Sequence, residues 1–382
     1  MRVAIIHYWL VGMRGGEKVL EALCELYPQA DIFTHVYDPK AVSPTIARHK
    51  IYTSFINKLP FAKTRYPHYL PLMPMALEQL DLREYDLVLS SESGPAKGII
   101  PNTQAVHVCY CHSPMRYIWN MYRDYQETSG LLTRFIMPPL TNYLRAWDVT
   151  TAQRVDAFAA NSATVAQRIW RYYHRKAEVI HPPVDTLAFT PAEPDAVGDY
   201  HLMVGELVRY KRPDLAVQAF NDMKRRLVVI GGGAMLDEIR KLAGPTVEVL
   251  GPQPFSVLKH HYAHSKALIF PGEEDFGIVP VEAMASGRPV IAFGRGGATE
   301  TVVDGTTGVF FKEQSREAII DAVERLDALS FDPAVAVARA GEFGKHLFKQ
   351  RIVSFVDRSL SAPSPIIEAP RPISAVPLNV VA

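Results

Sequence analysis

The stretch Glu274-Asp-Phe-Gly-Ile-Val-Pro-Val-Glu282, continued by Ala283-Met-Ala-Ser-Gly287-Arg-Pro-Val-Ile-Ala292, sets two carboxylates around a Phe-Gly turn with seven residues between them. The apolar run Ala267-Leu-Ile-Phe-Pro271 precedes it and reads as a strand whose end feeds a helix. The turn leaves the backbone N–H groups of Phe276, Gly277, Ile278 and Val279 at a helix N-terminus. Unpaired donors and the positive end of the helix dipole make such a place an anion site, here suited to a diphosphate. Glu274 stands before the turn and Glu282 on the helix behind it, so one can accept hydrogen bonds from the hydroxyls of a sugar and the other from a ribose diol. Two glutamates at this spacing are common on solvated loops and helices; the flanking Phe-Gly and Ala-Ser-Gly-Arg-Pro-Val-Ile single this pair out.

Outward from that stretch, short apolar runs ending in Gly, Ser or His alternate with longer helical patterns, the mark of parallel sheets covered on both faces. Strands are predicted near Val3–His7, Ile32–Val36, Leu87–Ser91, Ala105–Tyr110, Ala157–Asn161 and Glu178–His181. A second set is predicted near His201–Gly205, Leu227–Gly231, Val247–Leu250, Ala267–Phe270 and Val290–Phe293. The reading is α/β: two Rossmann-like domains whose parallel sheets face a central cleft, with ligands outside the carboxyl ends of the strands. Residues 1–182 form the first domain, a Pro-rich linker covers 183–199, the second domain covers 200–339, and a final helix covers 340–360. Residues 361–382, rich in Pro, Ser and Ala, are expected to be a disordered tail.

Composition narrows the classes. The 382 residues carry 41 basic and 40 acidic side chains, giving no global attraction to nucleic acid. Three cysteines, Cys24, Cys109 and Cys111, are too few for a disulfide scaffold, and Cys109-x-Cys111 on a strand places both on one side rather than around a metal. The opening run Met1–His7 breaks too early for a signal peptide, and no stretch approaches the length needed to span a bilayer. A cytoplasmic protein is expected.

Taken together these motifs resemble the retaining glycosyltransferases of family 4, which have the GT-B fold; the resemblance covers about residues 1 to 360. It implies that Glu274 contacts the donor sugar, Glu282 the donor ribose, and that the last helix returns to the first domain. In Val204-Gly-Glu-Leu-Val-Arg-Tyr-Lys-Arg-Pro-Asp214, Arg209 and Lys211 are the cations placed to hold the diphosphate. Relatives often carry Arg directly after that glycine, where this chain has Glu206, so Arg209 is expected to take over the role. Gly231-Gly-Gly233, with Gly232 at its centre and a helix over Met235–Leu242 behind it, resembles the loop beside the nucleotide base. Gly294-Arg-Gly-Gly297-Ala-Thr-Glu-Thr301 resembles the turn bordering the donor pocket, with Glu300 starting a helix. In the first domain Gly12-Met-Arg-Gly15-Gly16-Glu17 places Gly15 and Gly16 against the donor across the cleft. His112, in Cys109-Tyr-Cys-His-Ser-Pro-Met-Arg116, sits where relatives keep a histidine near the reacting sugar.

No two aspartates are separated by a single residue, so the metal-binding Asp-x-Asp signature of the other main glycosyltransferase fold is missing. Neither an essential metal nor a cofactor is expected. The donor is a nucleotide sugar; resemblance to bacterial mannosyltransferases of surface-polysaccharide synthesis favours GDP-mannose, ahead of UDP-sugars and dTDP-rhamnose. Residues 40–77 contain no Asp or Glu but hold Lys40, Arg48, Lys50, Lys58, Lys63 and Arg65 among Phe55, Phe61, Tyr66, Tyr69, Leu70, Leu72 and Met73. That mixture suits docking on an anionic membrane surface to reach a polyprenyl-diphosphate-linked glycan acceptor. It equally suits a Pro-broken loop that packs its apolar side chains inward. Two further classes stand beside the transferase: a GT-B epimerase, and a noncatalytic sugar-nucleotide-binding protein.

Overall fold

The computed structural model describes residues 1–128 and 130–362, so the expected tail lies, from 363 onward, outside the described residues. The first sheet comprises β1 (Val3–His7), β2 (Asp31–Thr34), β3 (Ile51–Thr53), β4 (Leu87–Glu92), β5 (Val106–Cys111), β6 (Ala157–Ala160) and β7 (Ala177–Val179). The second comprises β8 (His201–Val204), β9 (Leu227–Ile230), β10 (Val247–Gly251), β11 (Leu268–Phe270), β12 (Val290–Phe293) and β13 (Gly308–Phe311). Their spatial orders are β3-β2-β1-β4-β5-β6-β7 and β10-β9-β8-β11-β12-β13, and every pairing is parallel. The fold is thus the expected α/β pair of parallel-sheet domains.

Two strands escape the hydrophobic pattern, each for a physical reason. β3 is three partly exposed residues at the edge of its sheet, and β13 opens on Gly308, which reads as a turn. All five residues of β1 are buried because helices cover both faces. Ile5 packs with Leu20 and Leu23, whereas Ala4 and Ile6 face Leu77 and Val88 on the other side.

The chain crosses between the domains twice, and the crossings are stitched together. Val184 N–H donates to Phe343 O at 3.1 Å and Lys345 N–H donates to Val184 O at 3.1 Å. That bridge needs extended backbone, and it corrects the expectation of one helix over 340–360. Helix Pro333–Gly341 ends before it, packing Ala336 and Ala340 in the second domain, and helix Lys345–Ser361 starts after it. The later helix lies on the first domain: Phe348, Ile352, Phe355 and Val356 join the core of Val3, Ile5 and Leu20. Lys345 and Lys349 each reach Glu25 at 2.5 Å, and Arg358 reaches Glu178 at 2.7 Å. The linker stretch is also anchored, with Phe189 set edge-on to Phe255 and Tyr262 of the second domain.

Phe348 is fully buried against Tyr110, so Phe348→Ala is expected to destabilise the first domain by about 3–5 kcal/mol. Urea unfolding read by tryptophan fluorescence checks this through a lower midpoint.

Candidate active site

An open parallel sheet leaves a crevice where its strand order turns back, because the connections from neighbouring strands there leave toward opposite faces. In the first sheet that point lies between β1 and β4, and in the second between β8 and β11. Beyond β8 and β11 come the loops carrying Lys211 and Glu274, whose Nζ and Oε1 are 3.0 Å apart. At the carboxyl ends of β1 and β4 lie His7 and Ser91, with the Gly15-Gly16 turn beyond β1 and His112 just after β5, one strand over.

On the second-domain side, helix Ile278–Ala285 begins at Gly277, and no side chain caps it. Gly277 has φ 85° and ψ 82°, which a residue with a Cβ would adopt only under strain, so the turn depends on glycine. Glu282 accepts a hydrogen bond from Tyr262 Oη at 2.8 Å. Burial pushes its carboxyl up to about 6, against the opposing effects of the Tyr262 hydrogen bond and the Lys18 charge. Lys211 titrates above its ordinary value: burial works against its charge, but Glu274, Tyr210 and Glu206 together outweigh it. Lys211 therefore keeps its charge beside Glu274, where a ligand could offer it a better partner. Arg209 and Lys211 share one 3-10 turn, where Arg209 and Glu206 are both exposed. Gly232 lies farther back: its carbonyl accepts Leu207 N–H at 2.7 Å, tying the cation loop to the glycine run.

The first-domain side closes onto this. A Cβ on Gly15 would lie 3.2 Å from Ile278 Cδ1, so the N-termini of helices Gly15–Leu26 and Ile278–Ala285 approach each other across the cleft. Gly16 leaves no room for a side chain, since a Cβ there would sit 2.2 Å from the Tyr8 hydroxyl. Burial, with a smaller push from His7, lowers His112 to about 3, so it is neutral at ordinary pH. Its Nε2 is 2.8 Å from Ser91 Oγ.

Sequence reasoning missed how the halves are held. Glu300 does not simply start a helix: it crosses to the first domain and accepts Ala163 N–H at 2.8 Å and Thr164 N–H at 3.3 Å, the free donors of helix Ala163–Tyr173. His181 Nε2 lies 3.1 Å from the same carboxylate. Asp275, beside Glu274, is bonded by Arg168 and lies 3.6 Å from Arg116, whose guanidinium stacks over Tyr210 with 5.0 Å to the ring centroid. Arg116 was visible in the His112 motif; Arg168, His181 and Tyr262 sit on ordinary helix or strand patterns with no signal.

Residues 13–187 match Glycosyltransferase Family 4, and residues 194–334 match Glycosyl transferases group 1, so the two domains carry one family match each. The chain belongs to the family 4 glycosyltransferases. A D-inositol 3-phosphate glycosyltransferase of Frankia alni is 32% identical over 202 residues, covering 44% of this chain and 50% of the relative. A GDP-mannose-dependent alpha-(1-6)-phosphatidylinositol monomannoside mannosyltransferase of Mycolicibacterium smegmatis is 34% identical over 198 residues, covering 44% and 50%. The family 4 chain thus spans about half the length of these relatives. Among solved structures, Anabaena Alr3699/HepE in complex with UDP and glucose superposes with TM-score 0.69 at 16% identity, over 94% of this chain and 99% of that one. Sucrose-phosphate synthase from Thermosynechococcus elongatus superposes at 0.70 and 18% identity, over 95% and 100%. At these identities the structures establish the GT-B fold alone.

Two outcomes test this geometry. The Arg168→Ala, Glu300→Ala double variant lacks the main polar contacts across the cleft, and small-angle scattering is expected to give it a larger radius of gyration than wild type. Glu282 is ionised only above about 6, so a nucleotide diol that needs the carboxylate is expected to bind more weakly as pH falls through that value. Calorimetry with GDP and UDP on either side of it checks this, and Glu282→Gln is expected to bind weakly at both and lose the dependence.

Proposed function

We propose that the chain is a retaining glycosyltransferase that moves a hexose, mannose from GDP-mannose being the leading candidate, to a lipid-linked or glycan acceptor in cell-envelope polysaccharide synthesis. One observation carries this reading: an uncapped helix N-terminus, flanked by Glu274 and Glu282 and by Lys211, faces a glycine turn of the opposite domain. The diphosphate would lie on the N–H groups of Ile278 and Val279, with Lys211 and Arg209 offsetting its charge. Glu274, released from Lys211 by the phosphates, would accept from the sugar hydroxyls, and Glu282 from the ribose diol. His112, neutral, would bond a further sugar hydroxyl.

The charge that develops on the leaving diphosphate is met by these fixed donors, so no metal is required and turnover is expected to survive treatment with EDTA. The acceptor hydroxyl attacks the anomeric carbon on the face the diphosphate leaves. Its proton passes to the departing phosphate oxygen as the bond from anomeric carbon to that oxygen breaks. GDP-mannose dependence is supported by the mycobacterial relative, and a UDP-sugar by the UDP and glucose held by the Anabaena protein. A thermal-shift comparison of GDP-mannose, GDP, UDP-glucose, UDP and dTDP-rhamnose separates these donors, with the stabilisation expected to shrink in Glu282→Ala. Detectable sugar transfer separates an enzyme from a noncatalytic binder.

The acceptor reading rests on residues 40–77, whose apolar side chains divide between the interior and the surface. Ile46, Ile56, Met73 and Leu77 pack inward, while Phe61, Leu72 and Met75 stand 70%, 38% and 48% exposed beside the exposed Lys58, Lys63 and Arg65. Among the described residues no helix is long and apolar enough to cross a membrane, so contact with a lipid-borne acceptor would be from the surface. Flotation with anionic liposomes is expected to recover the wild type and to lose the Lys58→Glu, Lys63→Glu, Arg65→Glu variant.

A further inference from the structure

Behind His112 a line of buried polar groups runs away from the cleft. Ser91 Oγ, 2.8 Å from His112 Nε2, is also 3.1 Å from His7 Nδ1. The far nitrogen of His7, Nε2, is buried without a hydrogen bond and faces Glu17 Oε1 at 3.7 Å. The other oxygen of Glu17 accepts the Arg14 N–H at 2.9 Å, at the start of the glycine-turn helix. His7, Ser91 and Glu17 are 1%, 0% and 2% exposed, so water does not share their protons. His112 Nδ1 makes no hydrogen bond among the described residues, yet it is not sealed inside the protein.

The protons in this line are set from one end. Burial works to raise the Glu17 carboxyl, but the His7 ring and the N–H groups of Arg14 and Glu17 together hold it below the usual range, so it is an anion. An anion attracts an N–H and repels a bare ring lone pair, so a His7 ring with one proton carries it on Nε2, toward Glu17, and leaves Nδ1 an acceptor. Ser91 has one proton, which then goes to His7 Nδ1. Its oxygen is left to accept from His112 Nε2–H, and Nδ1 of the partly buried His112 is the bare acceptor. If His7 gained a second proton, both its nitrogens would donate, Ser91 would turn round, and His112 would present an N–H instead.

We propose that Glu17, acting through His7 and Ser91, is a positioning residue that holds His112 in its Nε2–H tautomer, so that Nδ1 accepts from a hydroxyl of the donor sugar. The proposal deepens the reading of His112 given above and rests on it. Neither Glu17 nor His7 touches the donor in this scheme; they act only through the orientation of one proton.

Long-range proton–nitrogen NMR on 15N-histidine protein reads the tautomer directly, with His112→Gln assigning the signal. At about pH 8, wild type is expected to show His112 as Nε2–H. In Glu17→Gln the amide oxygen can keep the Arg14 cap while the NH2 faces His7, which reverses the line and moves the His112 proton to Nδ1. Turnover with the donor found by thermal shift is then expected to drop roughly ten-fold or more in kcat, with the donor KM little changed. Ser91→Ala is expected to release the tautomer and Ser91→Thr to restore both tautomer and rate, all with melting temperatures near wild type. The proposal fails if wild-type His112 carries its proton on Nδ1, if Glu17→Gln and Ser91→Ala leave the tautomer unmoved, or if the tautomer flips without a change in kcat. Absence of turnover in wild type with every donor would instead overturn the transferase reading, while the spectra would still decide the proton relay.

Discussion

Parallel strands force the chain to leave every strand at the same edge of its sheet, and that constraint gathers the candidate site residues of this protein. Where the strand order turns back, at β1/β4 and β8/β11, departing loops diverge and leave a crevice that side chains alone do not fill. Arg209, Lys211, Glu274 and the Gly15-Gly16 turn lie on the connections leaving β8, β11 and β1. Lys211 and Glu274 come together because β8 and β11 are neighbours in space while more than sixty residues apart in the chain. His7, Ser91 and His112 come together because β1, β4 and β5 are consecutive in the sheet.

Carboxylates do two distinct jobs around this cleft. Glu274 and Glu282 remain available, one held by a lysine that a diphosphate could draw away and the other by a tyrosine hydroxyl. Glu300 and Asp275 are committed to joining the domains, through a helix N-terminus and two arginines. An ion pair at such a boundary is desolvated enough to orient the halves and wet enough to break, which suits a cleft that must admit and release its ligand.

Much of the fold was legible because its strands are buried on both faces, and double burial writes an unbroken apolar run such as Val3–His7 or Leu227–Ile230. β3 and β13 were not legible, one partly exposed and one led by glycine. The break at 342–344 was hidden as well, since helical periodicity on either side gives no sign that Val184 will pair with that backbone.

The local chemistry of the site was written in the sequence: the Phe-Gly turn, the two glutamates, the cation loop and His112 are each set by neighbours within a few residues, where backbone geometry follows from residue type. What the tertiary structure alone decided is which charges meet. Glu300 bonding Ala163, Arg168 bonding Asp275, Tyr262 bonding Glu282 and Ser91 joining two histidines are contacts between segments far apart in the chain. Their distances follow from sheet order and domain closure, which no local pattern of residues encodes.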